Sequence, residues 1–160
     1  MNVDIMMKRY FSVLMIWSCC LSFALAQTPV EKIVTKYEDV KGSKELVAKG
    51  AKMVFARALI KQTPVAPIAD DVTELAVLKM ANASKSDQKL FYNDLMTALK
   101  GYQYCGRHDT RNGTVDVYIM PPSKGMVKEL VIYNPAIYSL NSLYGEFSVE
   151  SLLSLTGKSD

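Results

Sequence analysis

The chain has 160 residues, of which 49% are hydrophobic, and its 19 basic and 16 acidic residues leave a net charge of +3. This length suits one domain with its own core, and the balanced charge without a basic run excludes a typical nucleic-acid-binding surface. A single histidine excludes a multi-histidine metal site and any catalytic group that needs two histidines. We therefore expect no nucleic-acid partner and no cofactor.

The first 26 residues have the pattern of an export signal. Lys8 and Arg9 provide a positive segment, and the residues that follow are nearly all apolar. Ala24 and Ala26 place small side chains at the two positions that a signal peptidase reads. We therefore expect cleavage between Ala26 and Gln27, and a protein that is secreted or resides in the periplasm or cell envelope.

Two alternatives to simple secretion remain open. An uncleaved leader would anchor the chain, although its apolar stretch is shorter than the roughly 20 residues that a spanning helix needs. Alternatively, Cys19 would be the lipidation site of a lipoprotein, although Trp17 is bulkier than the small residue that this motif requires. We expect peripheral membrane association only if Cys19 is lipidated.

Residues 27–160 are predicted to form a single domain. They carry 17 basic and 15 acidic residues, because Lys8, Arg9 and Asp4 leave with the signal. Cys105 would be the only thiol of this mature chain. No internal disulfide is therefore expected, and stability must come from packing.

The mature chain is predicted to begin with a helix. Thr28 is a predicted N-cap, Pro29 suits the first helical position, and Glu31 can complete a reciprocal capping arrangement. This pattern indicates a helix from Thr28 to Tyr37.

The segment after Gly42 has two interpretations. We favour a short strand over Glu45–Lys49 followed, after Gly50, by a helix over Ala51–Lys61. A glycine inside a helix costs about 1 kcal/mol, which disfavours the alternative of one continuous helix.

The middle of the chain is predicted to contain a surface connection, a strand and a long helix. Thr63–Pro67 is rich in proline and suits the connection, and Glu74–Met80 is rich in leucine and valine and suits the strand. Ser84, with Asp87 three residues later, is the predicted N-cap of a helix that ends at Gly101. The apolar stripe of this helix consists of Phe91, Leu95, Ala98 and Leu99.

The last third is predicted to be mostly strands. Asn112-Gly113 is a hairpin signal, because both residues tolerate positive φ, and it would pair Tyr102–Arg107 with Thr114–Met120. Two further strands and a terminal helix follow, at Met126–Tyr133, at Ile137–Tyr144 and after Ser148. Together the elements predict an α+β fold, a mainly antiparallel sheet of four to six strands with helices packed on one face.

Several short segments of the last third resemble the uncharacterised domain of unknown function 4252. They are Gly101-Tyr102, Val115–Ile119, Lys128–Ile132 and Tyr144–Phe147 with the helix around Leu152. The resemblance runs from about Val30 to Leu155. It implies a small signal-bearing protein of the Bacteroidota cell envelope and this α+β architecture, and it implies no catalytic residues.

One group of residues would suit an enzyme. Cys105, His108 and Asp109 lie close together in the sequence and suggest a small hydrolase or a thiol-dependent enzyme. On a regular strand Cys105 and His108 point to opposite faces, so a pair would need a bulge, which Gly106 can supply. The alternative is a packed cysteine and a solvated histidine.

Tyrosines are concentrated in the predicted sheet. Tyr102 and Tyr104 share a face by strand alternation, whereas Tyr118 is out of phase with the apolar residues of its own strand. With Tyr133 they would form a tyrosine-bearing sheet face that stacks on sugars or contacts a protein. We therefore expect a non-enzymatic binding module for an envelope protein, peptide or glycan. The alternative is that tyrosine simply suits strands.

Overall fold

The computed structural model describes residues 27–156. The predicted export signal, its cleavage positions Ala24 and Ala26, and the alternative lipidation site Cys19 lie outside the described residues. Gln27 is the first described residue and is exposed. Within residues 27–156, no helix is long and apolar enough to cross a membrane.

Six strands and four α-helices make up the regular structure of the described residues. In chain order they are α1 (Pro29–Tyr37), β1 (Lys44–Lys49), α2 (Met53–Ile60), β2 (Val72–Lys79), α3 (Lys85–Ala98), β3 (Gln103–Thr110), β4 (Gly113–Ile119), β5 (Met126–Asn134), β6 (Ser139–Ser148) and α4 (Val149–Thr156). The strands form one antiparallel sheet in the order β1-β2-β6-β5-β4-β3. The predicted α+β class and the mainly antiparallel sheet are therefore confirmed.

The predicted helix starts are confirmed by their capping bonds. Glu31 N donates to Thr28 Oγ1 at 3.1 Å, and Asp87 N donates to Ser84 Oγ at 3.1 Å. The Glu31 carboxylate, which was predicted to complete a reciprocal cap, lies 3.7 Å from Lys49 Nζ. Thr28 therefore caps α1, and Ser84 caps α3, the helix that later borders the candidate site.

The segment after Gly42 forms a strand and a helix, so the alternative of one continuous helix is wrong. β1 pairs with β2 along its whole length, from Lys44 with Lys79 to Lys49 with Glu74. The sheet thereby supplies the backbone hydrogen bonds that a helix would have supplied, and its pairing overrides local helix propensity.

The connection between α2 and β2 is more buried than the sequence suggested. Residues Ala66–Asp71 form a short 3-10 helix in which Ile68 and Ala69 are completely buried. Both belong to the same apolar cluster as Met53 and Phe147. The exposed Thr63, Pro64 and Pro67 agree with the predicted surface connection, whereas Ile68 and Ala69, which follow them, fill the core beneath α2.

Helices cover both faces of the sheet, so the expectation that they pack on one face is wrong. In β5 and β6, Val131 and Leu140 lie on one face, which we call the front face, whereas Leu130 and Leu143 lie on the back face. The buried residues of α1 and α3 pack on the front face, and those of α2 and α4 pack on the back face. Because the central strands are apolar on both sides, each face has to be covered.

The β3–β4 hairpin turns one residue earlier than predicted. Thr110 pairs with Gly113, so Arg111 and Asn112 form the loop, and Gly113 rather than Asn112 takes a positive φ of 106°. The Thr110 hydroxyl donates to the Gly113 carbonyl at 2.6 Å. Asn134 Nδ2 donates to the Asn112 carbonyl at 3.0 Å, so a neighbouring strand end also holds this turn.

A buried carboxyl group lies at one end of the front face. Glu129 has no exposed surface, and its Oε1 accepts a hydrogen bond from Ser142 Oγ at 2.7 Å while its Oε2 accepts one from the Tyr102 hydroxyl. Burial, followed by this hydrogen bond to the carboxylate, raises the pKa of Tyr102. The contacts join β5 to β6 and to the segment that enters β3, so this cluster fixes the start of the hairpin.

We expect Glu129→Ala to lower the free energy of unfolding by about 2–4 kcal/mol, because it leaves the hydroxyls of Tyr102 and Ser142 unpaired beside a new cavity. Urea unfolding monitored by circular dichroism measures the change. Lys128→Ala is the matched control at the neighbouring exposed position, and should alter stability by no more than about 0.5 kcal/mol. Equal effects of the two substitutions would contradict the role given to Glu129.

Candidate functional site

A groove opens on the front face between α3 and the strands beside it. It has a volume of about 390 Å³. Four tyrosines from four elements line it, together with one basic and one acidic residue. We call it the tyrosine groove; its principal residues are Tyr92, Tyr104, Tyr118, Tyr133, Arg107 and Asp116.

A one-residue bulge in β3 brings two of these side chains to the same face. Tyr104 pairs with Tyr118 and Arg107 pairs with Asp116, so Cys105 is the extra residue between the two parts of the ladder. Gly106, at a φ of 125°, allows the backbone to take this shape. On a regular strand, residues 104 and 107 would point to opposite faces. The bulge therefore places Tyr104 and Arg107 together on the front face.

Arg107, Asp116 and Tyr104 form a hydrogen-bonded polar group within the groove. Arg107 Nε donates to Asp116 Oδ1 at 2.8 Å and Nη2 donates to Oδ2 at 3.0 Å, a bidentate arrangement. The Tyr104 hydroxyl also donates to Asp116 Oδ1, at 3.1 Å. The Asp116 side chain is 11% exposed and that of Arg107 is 62% exposed. Arg107 is therefore much more accessible to solvent than the carboxylate that it binds.

This pairing shifts the pKa values of its members. The hydrogen bonds from the Arg107 guanidinium lower the pKa of Asp116, and they outweigh the opposing effect of burial. The same contact raises the pKa of Arg107. The pair is therefore ionised at neutral pH and carries no net charge.

The tyrosine rings form two tilted contact pairs along the groove. The ring centroids of Tyr104 and Tyr118 are 5.2 Å apart, and those of Tyr92 and Tyr133 are 6.3 Å apart. Tyr104 is 54% exposed and Tyr92 is 43% exposed, so both present ring surface at the rim. Aromatic rings in this position combine an apolar face with a polar tip.

The Tyr133 hydroxyl is the unusual polar group of the site. Tyr133 is only 1% exposed, and its hydroxyl has no hydrogen-bonding partner among residues 27–156. Burial is the main cause that raises its pKa, followed by the nearby oxygens of other tyrosines and of Asp116. A buried hydroxyl without a partner costs about 1–3 kcal/mol, so most proteins avoid one.

The structure brings together three of the four tyrosines that the sequence analysis selected. Tyr104, Tyr118 and Tyr133 line the groove, whereas Tyr102 points to the Glu129 cluster. Tyr118 lies on the opposite face from Val117, as the strand pattern indicated. The tyrosines do not form an open sheet face, because α1 and α3 cover much of the front face and Tyr104, Tyr118 and Tyr133 are reached through the groove.

Sequence reasoning missed Tyr92, Arg107 and Asp116. Helical periodicity assigned Phe91 to the core and gave no role to the adjacent Tyr92. Opposite charges at paired strand positions could have identified Arg107 and Asp116. The predicted Asn112-Gly113 loop, however, would have paired Arg107 with Tyr118. The observed register places it opposite Asp116.

The candidate catalytic group predicted from the sequence consists of Cys105, His108 and Asp109, and the structure separates two of its members. His108 pairs with Val115, whereas Asp109 pairs with Thr114 and accepts a hydrogen bond from its hydroxyl at 3.0 Å. By strand alternation, His108 and Asp109 lie on opposite faces of β3. Burial raises the pKa of the Cys105 thiol, which favours the uncharged form over the reactive thiolate. Within the described part of the chain, no cluster of three or more His, Cys, Asp or Glu side chains could hold a metal ion.

Comparison with known proteins adds no functional assignment. No family model matches the sequence, and neither a curated protein nor a solved structure matches it. The functional argument therefore depends on the geometry of the groove.

The lowered pKa of Asp116 predicts an acid-sensitive contribution to stability. Because the folded pKa lies below the unfolded value of about 3.9, this contribution is fully present above about pH 5 and is lost as the pH falls through the folded pKa. We expect the stability difference between the wild type and Asp116→Asn to be constant from pH 7 to about pH 5 and to shrink below about pH 4. Urea titrations over this range measure it.

Arg107→Gln tests whether the Arg107 guanidinium is the cause of the lowered pKa of Asp116. Without the guanidinium the pKa of Asp116 should return towards its usual value, so the difference between the wild type and this variant should also shrink in acid. A wild-type advantage that persists unchanged to pH 2.5 in both comparisons would contradict the assignment.

Proposed function

We propose that this chain is a non-enzymatic binding module that works in the periplasm, in the cell envelope or outside the cell, and that the tyrosine groove holds its ligand. The proposed location is supported by the predicted export signal that ends at Ala26. The resemblance to the domain of unknown function 4252 points to the same compartment. The ligand belongs to one of three classes: an envelope protein, a peptide or a glycan.

The observation that carries the proposal is the unpaired hydroxyl of Tyr133. A phenylalanine at this position would fill the same space without burying a polar atom, so packing alone does not account for a tyrosine. A ligand that bonds to this hydroxyl would offset the free-energy cost of burying it without a partner. We therefore infer that the Tyr133 hydroxyl forms a hydrogen bond with the ligand.

The rest of the groove supports this assignment. Its rings and polar pair are held by packing and hydrogen bonds, so the site is preorganised. Aromatic walls with a few fixed polar groups are typical of ligand sites, and the volume of about 390 Å³ falls within the usual range. We base no proposal on Cys105 and His108, because burial favours the neutral thiol and Asp109 faces away from the histidine.

Tyr133→Phe should separate stability from binding. We expect the unfolding free energy to stay the same or to rise by up to about 1 kcal/mol, because the substitution removes a buried hydroxyl that has no partner in the protein. We expect capture of glycans or peptides from immobilised panels to fall at least tenfold. The protein is used as recovered from cells, with its N-terminus determined by mass spectrometry.

Tyr102→Phe is the matched control, because its hydroxyl donates to Glu129 outside the groove. It should lower the unfolding free energy by about 1–2 kcal/mol and leave capture unchanged. If Tyr133→Phe destabilises the protein as much as Tyr102→Phe does and leaves capture intact, the hydroxyl serves the fold and the proposal fails.

A further inference from the structure

The charged pair in the tyrosine groove disfavours a charged ligand. Arg107 and Asp116 neutralise each other through two hydrogen bonds, and Arg107 is the more exposed partner. A ligand of either sign would find no unpaired counter-charge in this pair, so it would lose hydration without gaining a full ion pair. The site therefore favours an uncharged ligand.

The polar groups of the groove can both donate and accept hydrogen bonds. Arg107 uses Nε and Nη2 for Asp116 and has further N–H donors, while Asp116 Oδ2 accepts one bond from this pair and can accept another. The Tyr133 hydroxyl can donate and accept, and an entirely apolar ligand would leave it unpaired. Ligand hydroxyl groups suit such a mixture, because each of them is also both donor and acceptor.

The shape of the groove favours a short, ring-shaped ligand. Tyr92 on α3 and Tyr104 on β3 present half-exposed ring surface at the rim, and such surface stacks well on the C–H face of a sugar ring. The volume is near the lower end of the range for small-molecule sites. A peptide cannot add a strand to β4, because both edges of β4 are already paired, with β3 and with β5, and among the described strands only the outer edge of β3 is free on this side of the sheet.

We infer that the ligand of the tyrosine groove is a neutral saccharide of one or two rings. One ring lies against the aromatic rim and its hydroxyls bond to the Arg107–Asp116 pair; where the ligand displaces the side chains that cover it, the buried Tyr133 hydroxyl joins these bonds. This inference rests on the proposed function, since it identifies the ligand class of the same site.

Isothermal titration calorimetry and amide chemical-shift mapping test the inference. The probes are the neutral disaccharides maltose, cellobiose, lactose and N,N′-diacetylchitobiose, the charged sugars glucosamine and glucuronate, and a proline-rich decapeptide. At least one neutral disaccharide should bind, with shifts centred on Tyr104, Tyr118 and Tyr133, and at least tenfold more tightly than either charged sugar. Tyr104→Ala and Tyr133→Phe should each weaken this binding at least tenfold. Leu90→Ala, at an exposed position of α3 that does not line the groove, should leave it unchanged.

The other outcomes separate the inference from the proposed function. Binding of the decapeptide alone, lost in Tyr133→Phe, overturns the saccharide inference and leaves the proposed function standing. Disaccharide binding that neither groove variant weakens overturns both. If no disaccharide binds, the saccharide inference is overturned, while the proposed function is then decided by the Tyr133→Phe capture experiment.

Discussion

The tyrosine groove depends on the register of a single hairpin. The early turn at Arg111-Asn112 places Arg107 opposite Asp116, and the bulge at Cys105 returns Tyr104 to the same face. Strand side chains alternate with a period of two, so a one-residue change in either place would send one of these groups to the back face. The bidentate Arg107–Asp116 contact in turn favours the register that creates it.

The tyrosines at the two ends of the front face differ in whether their hydroxyls have a hydrogen-bonding partner. Tyr102 donates to the buried Glu129 carboxyl, which also accepts from Ser142, so this cluster is internally satisfied and joins three parts of the chain. Tyr133 is more deeply buried than Tyr102, yet its hydroxyl has no partner in the described part of the chain. The same residue type therefore stabilises the fold at one end and forms an incomplete polar site at the other.

Coverage of both sheet faces explains why the accessible site is small. The central strands β5 and β6 are apolar on each side, so α1 and α3 cover the front while α2 and α4 cover the back. α3 leaves the part of the front face near β3 and β4 uncovered, and Tyr92 borders this gap. The groove is thus the space between a helix edge and the last two strands of the sheet.

The sequence by itself determined the local elements. Caps at Thr28 and Ser84, the apolar stripe of α3 and the alternation around Tyr118 depend only on neighbouring residues, and these expectations were confirmed. It also singled out three of the groove tyrosines, because they lie in predicted strands. Tertiary structure decided the rest, namely the hairpin register, the division of helices between two faces and the burial of Tyr133. These features arise from contacts between residues distant in the chain, such as Asn134 with Asn112, and local patterns do not encode them.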